Sequence, residues 1–410
     1  MTKSAKRRVA VIGTGHRGAG TWGKELLATC GDWIELVALC DNNKLRLSRA
    51  RDAIGAQSAT FTDLEALLRE ARAETLIVCT RDHLHDEHIV MALEAGVDVI
   101  TEKPMATTAA KVRRILDAER RTGRRLDVAF NYRCAPTAQR IKEVLLSGAI
   151  GEIVSVDFHW YLDVEHGADY FRRWHAFVEQ AGSLFVHKAT HHFDLLSWYL
   201  GAEAERVFAQ GALRHYGRNG PFRGARCKGC PHTARCRFHF DISADPWLEM
   251  LYEEPSREDG YFRDACVFRE DIDIFDTMTA AIAFENGVQV SYSLNAAMPI
   301  EGYHLAFNGR EGRIEIRQYE RQAWETPEED EIALMRNFGG VERLMVKHGT
   351  GGHFGGDPVL QRLLFEPGAK DPLGQRATSR AGAISVLTGV AALESARTGK
   401  PVEVRALLGA

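Results

Sequence analysis

One glycine-rich turn limits the folds open to this chain more than any other feature. An apolar segment, Val9–Ile12, runs directly into a Gly-x-Gly-x-x-Gly pattern formed by Gly13, Gly15 and Gly18. Glycine permits a tight turn, close approach to a pyrophosphate and packing of a helix on a strand at these three positions. Amides at the start of such a helix face phosphate groups. We therefore predict a dinucleotide site built from Gly13, Thr14, Gly15, His16, Arg17 and Gly18.

A second apolar segment, 35–40, ends at Asp41. A carboxylate at this place accepts hydrogen bonds from the ribose hydroxyls of NAD and repels the 2′-phosphate of NADP. The pattern therefore favours NAD as cofactor. Lys44 and Arg46 follow closely and leave NADP open as the alternative.

The composition indicates a cytoplasmic enzyme of about two domains. The 410 residues are 45% hydrophobic, which is enough for a sizeable core. A net charge of -4 argues against a nucleic acid partner, and no apolar run reaches the roughly 18 residues of a membrane span. The basic start lacks the apolar region of an export signal. Eight cysteines in a chain of this length do not form a secreted disulfide framework.

Two patterns of hydrophobicity divide the chain. Strand-like and helical segments alternate up to about residue 130, which predicts a doubly wound parallel sheet of the Rossmann type over residues 1–133. Period-two segments follow, with an Asn-Gly turn at 286–287, and predict an α+β domain with a large, mostly antiparallel sheet over 134–410. We expect a cysteine-bearing insertion at about 215–270 and a C-terminal helix at 379–398.

The motif Thr101-Glu102-Lys103-Pro104 at the end of a strand resembles that of the Gfo/Idh/MocA oxidoreductases. The resemblance implies that Lys103 points at the substrate beside the nicotinamide, often with a cis bond before the proline. Lys103 at the carboxyl end of a parallel strand would also lie in the crevice where such folds bind ligands. By the same resemblance, the residues at the ends of neighbouring strands should contact the cofactor: Thr80, His85, Glu102 and Lys103.

A second family motif lies at 182–194, where relatives usually carry Asp, His and Asp on one helix. His191 and Asp194 match this motif, whereas His187 replaces the first Asp and Lys188 is added beside it. Residues 187, 191 and 194 would share one helical face. The resemblance implies that His191 is the general base. His187 and Lys188 are further catalytic candidates, because a second base permits a second proton transfer.

Other polar residues are candidates to contact the substrate. Tyr132 and Arg133 follow a strand of the first domain, and His192 lies beside His191. Arg172 and Arg173 are adjacent and could clamp a carboxylate, phosphate or sulfonate. The alternative is that the two arginines form a solvated surface.

Four cysteines form a separate feature outside the common family pattern. Cys227 and Cys230 are separated by two residues, and Cys236 and Cys266 follow. Four thiolates can enclose one tetrahedral zinc ion, so a structural zinc is one expectation. Free thiols or a disulfide are the alternatives.

These observations lead to one main hypothesis and two alternatives. The main hypothesis is an enzyme that transfers hydride between NAD and a ring carbinol of a sugar, glycoside or cyclitol. The first alternative is an NAD-dependent glycosidase that oxidises, eliminates, adds water and reduces, acting on an acidic glycoside such as a uronide or sulfosugar. The second is a regulatory protein with an inactive site. The resemblance also implies a homo-oligomer, a dimer or a tetramer.

Overall fold

In the computed structural model, which describes residues 6–409, the glycine-rich turn joins the first strand of a seven-stranded sheet to a helix. The strand order is β15-β6-β5-β4-β1-β2-β3, and all pairs are parallel except β15 with β6. The strands are β1 (Arg7–Ile12), β2 (Ile34–Cys40), β3 (Ala59–Phe61), β4 (Thr75–Val78), β5 (Asp98–Thr101), β6 (Leu126–Val128) and β15 (Ala377–Thr378).

Helices follow the parallel strands, as the alternating pattern predicts. A π-helical segment, His16–Glu25, leads from the glycine-rich turn into the first α-helix. Side chains of Asn43, Asp63 and Thr108 cap the next helices by accepting a backbone N–H three residues ahead. The helices are α1 (Leu26–Cys30), α2 (Lys44–Ile54), α3 (Leu64–Glu70), α4 (His85–Glu94), α5 (Ala109–Thr122) and α6 (Pro136–Leu146).

The second sheet has nine strands in the order β14-β13-β12-β11-β7-β10-β9-β8-β16. Only β7 and β10 pair in parallel, so the sheet is mostly antiparallel. Its strands are β7 (Ile153–Asp163), β8 (Ala204–Ala212), β9 (Thr277–Phe284), β10 (Gln289–Met298), β11 (Glu301–Gly309), β12 (Gly312–Arg321), β13 (Glu329–Arg336), β14 (Val341–Lys347) and β16 (Val402–Glu403). The predicted fold class is therefore confirmed for both sheets.

The remaining helices bring distant parts of the chain to the first sheet. Leu360 and Leu364 of α13 pack in one apolar cluster with Val9 of β1 and Trp22. The helices are α7 (His166–Arg172), α8 (Val178–Ala181), α9 (Leu184–His187), α10 (Ala189–Leu200), α11 (Pro246–Leu248), α12 (Ser256–Asp259), α13 (Gly356–Phe365) and α14 (Ser379–Thr398). Among residues 6–409, no helix has both the length and the apolar character needed to cross a membrane.

The long helix α14 packs closely against the short helix that ends at His187. A Cβ on Gly389 would lie 2.3 Å from the carbonyl oxygen of Phe185, which is backbone and cannot rotate away. We expect Gly389→Ala to lower the free energy of unfolding by about 1–3 kcal/mol through overpacking. Gly340→Ala is the matched control, because a Cβ there meets nothing within 4 Å. Urea denaturation of both variants measures the difference, and equal stability of the two would contradict the prediction.

Candidate active site

The loop between β1 and the helical segment 16–25 is packed so closely that Gly13 and Gly18 leave no room for a Cβ atom. Gly13 has a φ of +87°, and a Cβ there would lie 2.6 Å from the backbone of Cys79. A Cβ on Gly18 would lie 1.8 Å from the carbonyl oxygen of Gly13. Backbone amides at the helix start can therefore approach a phosphate group closely.

Asp41 is buried beside this loop at the end of β2. Its Oδ2 accepts hydrogen bonds from the backbone N and the hydroxyl of Thr14 at 2.8 and 3.0 Å. Arg46 lies 3.4 Å from Oδ1 of Asp41 and 2.7 Å from Oδ2 of Asp259. The guanidinium of Arg46 is thus engaged by two carboxylates.

Arg17 of the loop joins three segments of the chain. Its Nε donates to Glu102 at 2.7 Å, and its Nη1 and Nη2 donate to the two oxygens of Asp357 at 2.9 and 2.8 Å. Trp22 donates to the same oxygen of Glu102 at 2.7 Å. Although burial opposes ionisation, Arg17 and His353 hold the pKa of Asp357 well below its usual range. This network is therefore a buried, charged anchor of the loop.

Thr80 and His85 support the turn that carries Lys103. The two ring nitrogens of His85 lie 2.8 Å from the carbonyl oxygen of Pro104 and 3.0 Å from that of Thr80. The hydroxyl of Thr80 lies 3.0 Å from Nδ1 of His88. The Lys103–Pro104 peptide bond is cis, as the resemblance implies.

Lys103 meets His187 across the two domains. Nζ of Lys103 donates to the carbonyl oxygen of His187 at 3.1 Å and lies 3.4 Å from Nε2 of its ring. Nδ1 of His187 lies 2.5 Å from Oδ2 of Asp82, a buried carboxylate of the first domain. Burial lowers the pKa of His187 well below 6.5, and burial lowers that of Lys103 to about 8. A neutral His187 can accept from the Lys103 ammonium at Nε2 and share the proton of Nδ1 with Asp82, whose own pKa is raised by burial.

His191 follows one turn later, in α10, and lies among other rings. Its ring centroid is 4.5 Å from that of Tyr132 and 5.9 Å from that of His353. Within residues 6–409, its buried Nδ1 has no hydrogen-bond partner. Burial, with Lys103 and Lys188, lowers the pKa of His191 well below 6.5. The imidazole is therefore neutral near pH 7 and can accept a proton.

His353 stands opposite His191 in a strained glycine-rich loop. The φ angles of His353 and Phe354 are +53° and +56°, a region that residues with a Cβ rarely adopt. Nδ1 of His353 lies 2.9 Å from Oδ2 of Asp357. Strain of this kind concentrates at functional sites, where the surrounding contacts hold it in place. The loop thus presents a second histidine that is oriented by a carboxylate.

Comparison with known proteins identifies the family. Residues 7–130 match the oxidoreductase family with an NAD-binding Rossmann fold, and residues 142–404 match its C-terminal alpha/beta domain. The chain belongs to the Gfo/Idh/MocA oxidoreductase family. An oxidoreductase designated YteT from Bacillus subtilis (strain 168) is 36% identical over 98% of both chains. A D-glucoside 3-dehydrogenase from Escherichia coli (strain K12) is 34% identical over 37% of this chain and 42% of its own length.

A solved structure of levoglucosan dehydrogenase with NADH and levoglucosan shares the fold. Its TM-score is 0.71 at 20% identity, over 98% of this chain and 100% of that chain. At this identity the likeness concerns the fold alone. The contacts within this Gfo/Idh/MocA protein, and not those of its structural neighbour, indicate the roles of individual residues.

Three further candidates have hydrogen-bond partners outside the Lys103 cluster, namely Lys188, Arg133 and His192. Nζ of Lys188 donates to the hydroxyl of Tyr132 at 3.2 Å. Arg133 forms a buried pair with Asp194 at 2.7 and 2.5 Å, which ties the two domains together. Nδ1 of His192 lies 2.7 Å from the hydroxyl of Tyr292, and its ring stacks on Trp160. These contacts give Arg133 and His192 structural partners of their own.

The adjacent residues Arg172 and Arg173 form hydrogen bonds with different parts of the chain. Arg172 donates to the carbonyl oxygen of Phe238 at 2.5 Å and lies 3.4 Å from Sγ of Cys227, so it supports the insertion. Arg173 donates to Asp169 at 2.7 Å and to the hydroxyl of Tyr261 at 3.3 Å. The pair therefore does not form the joint anion clamp that adjacency in the sequence suggests.

The four cysteines of the insertion line one cavity with Arg172, but they do not support the expected zinc site. Cys227, Cys230, Cys236 and Cys266 are all free thiols around about 20 Å³ of internal space. No group of three or more His, Cys, Asp or Glu side chains within residues 6–409 is arranged to hold a metal ion. The cysteine-bearing segment is held in place instead by Arg172 and Arg226. Arg226 pairs with Glu253 and Asp264 at 2.6 and 2.9 Å.

The predicted site residues do not include four residues that the structure brings to the site, although the sequence indicates the segment 351–357, which contains two of them, as a lid over the substrate or a loop. Asp82 begins the helical turn that follows β4, and its position near the carboxyl end of a parallel strand is a signal that could have found it. His353 and Asp357 lie in a glycine-rich segment with the polar residues of a functional loop, but their partners are distant in sequence. Tyr252, whose hydroxyl accepts from the backbone N of His16 at 2.7 Å, carries no sequence signal at all.

The Arg17 network predicts a specific loss of stability at acid pH. We expect Asp357→Asn to lower the free energy of unfolding at pH 7 by about 1–3 kcal/mol, because it leaves the partly buried guanidinium of Arg17 without one of its two counter-charges. The depressed pKa of Asp357 means that its contribution is complete above an unfolded value of about 4 and declines as pH falls below it. Urea denaturation at several pH values measures the difference between wild type and variant. A difference that does not shrink below pH 4 would contradict this account.

Proposed function

We propose that the protein transfers hydride between NAD and a ring carbinol of a sugar, glycoside or cyclitol. The convergence of Lys103, His187 and His191 beside the glycine-rich loop carries this proposal. The lysine is adjacent to Glu102, which holds Arg17 of that loop, so the polar cluster adjoins the dinucleotide side of the crevice. The similarity to a glucoside dehydrogenase over 37% of this chain supports a carbohydrate substrate.

We propose NAD rather than NADP as the cofactor. The buried carboxylate of Asp41 would repel a 2′-phosphate. Arg46 would have to leave Asp41 and Asp259 before it could neutralise such a phosphate. Breaking a buried pair costs several kcal/mol, so this exchange is unfavourable.

The bound nicotinamide supplies the hydride acceptor. His191 takes the proton of the substrate hydroxyl, because its imidazole is neutral and lies near the charge of Lys103. The Lys103 ammonium binds the same hydroxyl and stabilises the negative charge that develops on its oxygen. His187, fixed by Asp82, positions Lys103 through its ring and its carbonyl group.

Two substitutions test these assignments. We expect Lys103→Met and His191→Ala each to lower kcat/KM by about 10²- to 10⁴-fold, the usual size of a proton-transfer or charge-stabilising contribution. The dissociation constant for NAD should change little, which isothermal titration calorimetry measures. Lys370→Met, on an exposed lysine, is the control for loss of one charge. Full turnover in either site variant would overturn the assigned roles.

A second candidate function is the NAD-dependent cleavage of a glycoside. Elimination and water addition require proton transfers beyond the hydride step. Two histidines that are each oriented by a carboxylate flank His191, namely His187 with Asp82 and His353 with Asp357. A simple dehydrogenase has no need for both pairs, and this observation favours the second candidate. Because Arg172 and Arg173 have separate partners, they do not favour an anionic glycoside such as a uronide or sulfosugar over a neutral one.

One panel distinguishes the two functions. The protein is incubated with free sugars, cyclitols and neutral or anionic p-nitrophenyl glycosides, with NAD or NADP. We expect activity with NAD in preference to NADP, because Asp41 opposes the 2′-phosphate. NADH accumulation without release of nitrophenol identifies the dehydrogenase. Release of nitrophenol that requires NAD, with no net NADH, identifies the glycosidase, and neither signal across the panel would contradict the proposal.

A further inference from the structure

Two arginines near the glycine-rich loop share a single carboxylate. Arg173 donates to Oδ2 of Asp169 at 2.7 Å, and Nη2 of Arg263 lies 3.5 Å from the same oxygen. Although burial opposes ionisation, Arg173 and Arg263 hold the pKa of Asp169 well below its usual range, so it carries one negative charge against two positive ones. The cluster therefore has an excess of one positive charge.

Arg263 is buried, but two of its three guanidinium nitrogens donate no hydrogen bond within residues 6–409. The residue is 8% exposed, and its Nε and Nη1 have no hydrogen-bond partner within residues 6–409. A buried cation with unpaired donors is costly unless an anion satisfies it. A planar guanidinium with two free N–H groups matches the oxygens of a phosphate or carboxylate. Arg263 thus points to an anionic ligand.

Tyr252 places this charge beside the phosphate-binding amides. Its hydroxyl accepts a hydrogen bond from the backbone N of His16 at 2.7 Å, and a Cβ on Gly15 would lie only 2.8 Å from that hydroxyl. The guanidinium carbon of Arg263 lies 5.0 Å from the centroid of the Tyr252 ring. A hydroxyl that accepts one hydrogen bond still has its own O–H to donate. The free donors of both side chains therefore lie close to the start of the helical segment 16–25.

Further contacts attach this part of the insertion to the first domain. Trp247 donates to Nδ1 of His16 at 3.1 Å, and Asn43 donates to the carbonyl oxygen of Pro255 at 2.7 Å. Leu248 and Leu251 belong to an apolar cluster with Ala19 and Ala50 of the first domain. The segment 245–263 is thus docked on the loop that would hold the dinucleotide, rather than on the sheet of its own domain.

We propose that the insertion completes the dinucleotide site, with Arg263 and the Tyr252 hydroxyl binding oxygens of the NAD pyrophosphate. This inference rests on the proposed use of NAD. The pyrophosphate compensates the excess positive charge, and the insertion covers the glycine-rich loop from the second domain. Specificity for NAD then depends on Asp41, whereas retention of the cofactor depends on the insertion.

Titration calorimetry on the full-length protein, stripped of nucleotide with charcoal, tests the proposal. The variants are Arg263→Gln and Tyr252→Phe, with Arg397→Gln and Tyr319→Phe as controls outside the segment 245–263. The ligands are NAD, ADP-ribose, which keeps the pyrophosphate, and adenosine, which lacks it. We expect both site variants to bind NAD and ADP-ribose about 10- to 100-fold more weakly, as for hydrogen bonds to a charged group. Adenosine binding should be unchanged, which shows that both site variants remain folded.

Several results would overturn this inference. The first is wild-type affinity for ADP-ribose in both site variants. Equal weakening of adenosine would mean that the insertion acts through overall disorder, not through a pyrophosphate contact. Weakened binding of D-glucuronate to the NAD-loaded protein, with ADP-ribose unaffected, would assign Arg263 to an anionic substrate. A wild type that binds neither NAD nor ADP-ribose would refute the proposed function as well, whereas binding that the substitutions leave unchanged refutes only this inference.

Discussion

The buried pairing of Arg17 with Glu102 and Asp357 connects parts of the chain that are far apart in sequence. Arg17 lies in the glycine-rich loop, Glu102 at the end of β5 and Asp357 in the first turn of α13. A guanidinium presents its donors in a fixed plane, so both carboxylates must take defined positions to satisfy it. The residues next to these carboxylates are thereby placed as well: Lys103 beside Glu102, and His353 through its hydrogen bond to Asp357. One cation therefore aligns the dinucleotide side of the crevice with two histidine-bearing segments.

The Lys103 cluster combines a helix residue that departs from the family motif with a carboxylate from the other domain. In place of the carboxylate that relatives usually carry on the helix, this chain has His187, and a carboxylate approaches from the other domain in the form of Asp82. The cluster still contains a lysine, a histidine and a carboxylate, but the order of contacts is different. Because Asp82 and His187 belong to different domains, the orientation of the histidine depends on how the two domains pack together. Arg133 and Asp194 form a further buried pair across that boundary.

The insertion has a larger part in the architecture than its cysteines suggest. Its thiols line a small cavity supported by Arg172, while its later half packs on the first domain through Tyr252, Trp247 and an apolar cluster. The glycine-rich loop is thus contacted by residues of both domains. Arg263 gives this contact a positive charge that Asp169 offsets only in part, since Asp169 is shared with Arg173.

The sequence by itself determined the features that leave a local pattern. The glycine spacing at 13–18, the strand that ends at Asp41 and the alternation of strands and helices specified the first domain, because each depends on residues adjacent in the chain. The hairpin signals did the same for the second sheet, and the motif at 101–104 located Lys103. The adjacency of Arg172 and Arg173, in contrast, suggested a clamp that does not form, because the two side chains bind separate partners. Only the tertiary structure decided which residues His187, His353, Tyr252 and Arg263 contact. Their contacts join residues that are up to hundreds of positions apart, and such contacts are selected by packing and charge compensation, which no local spacing records.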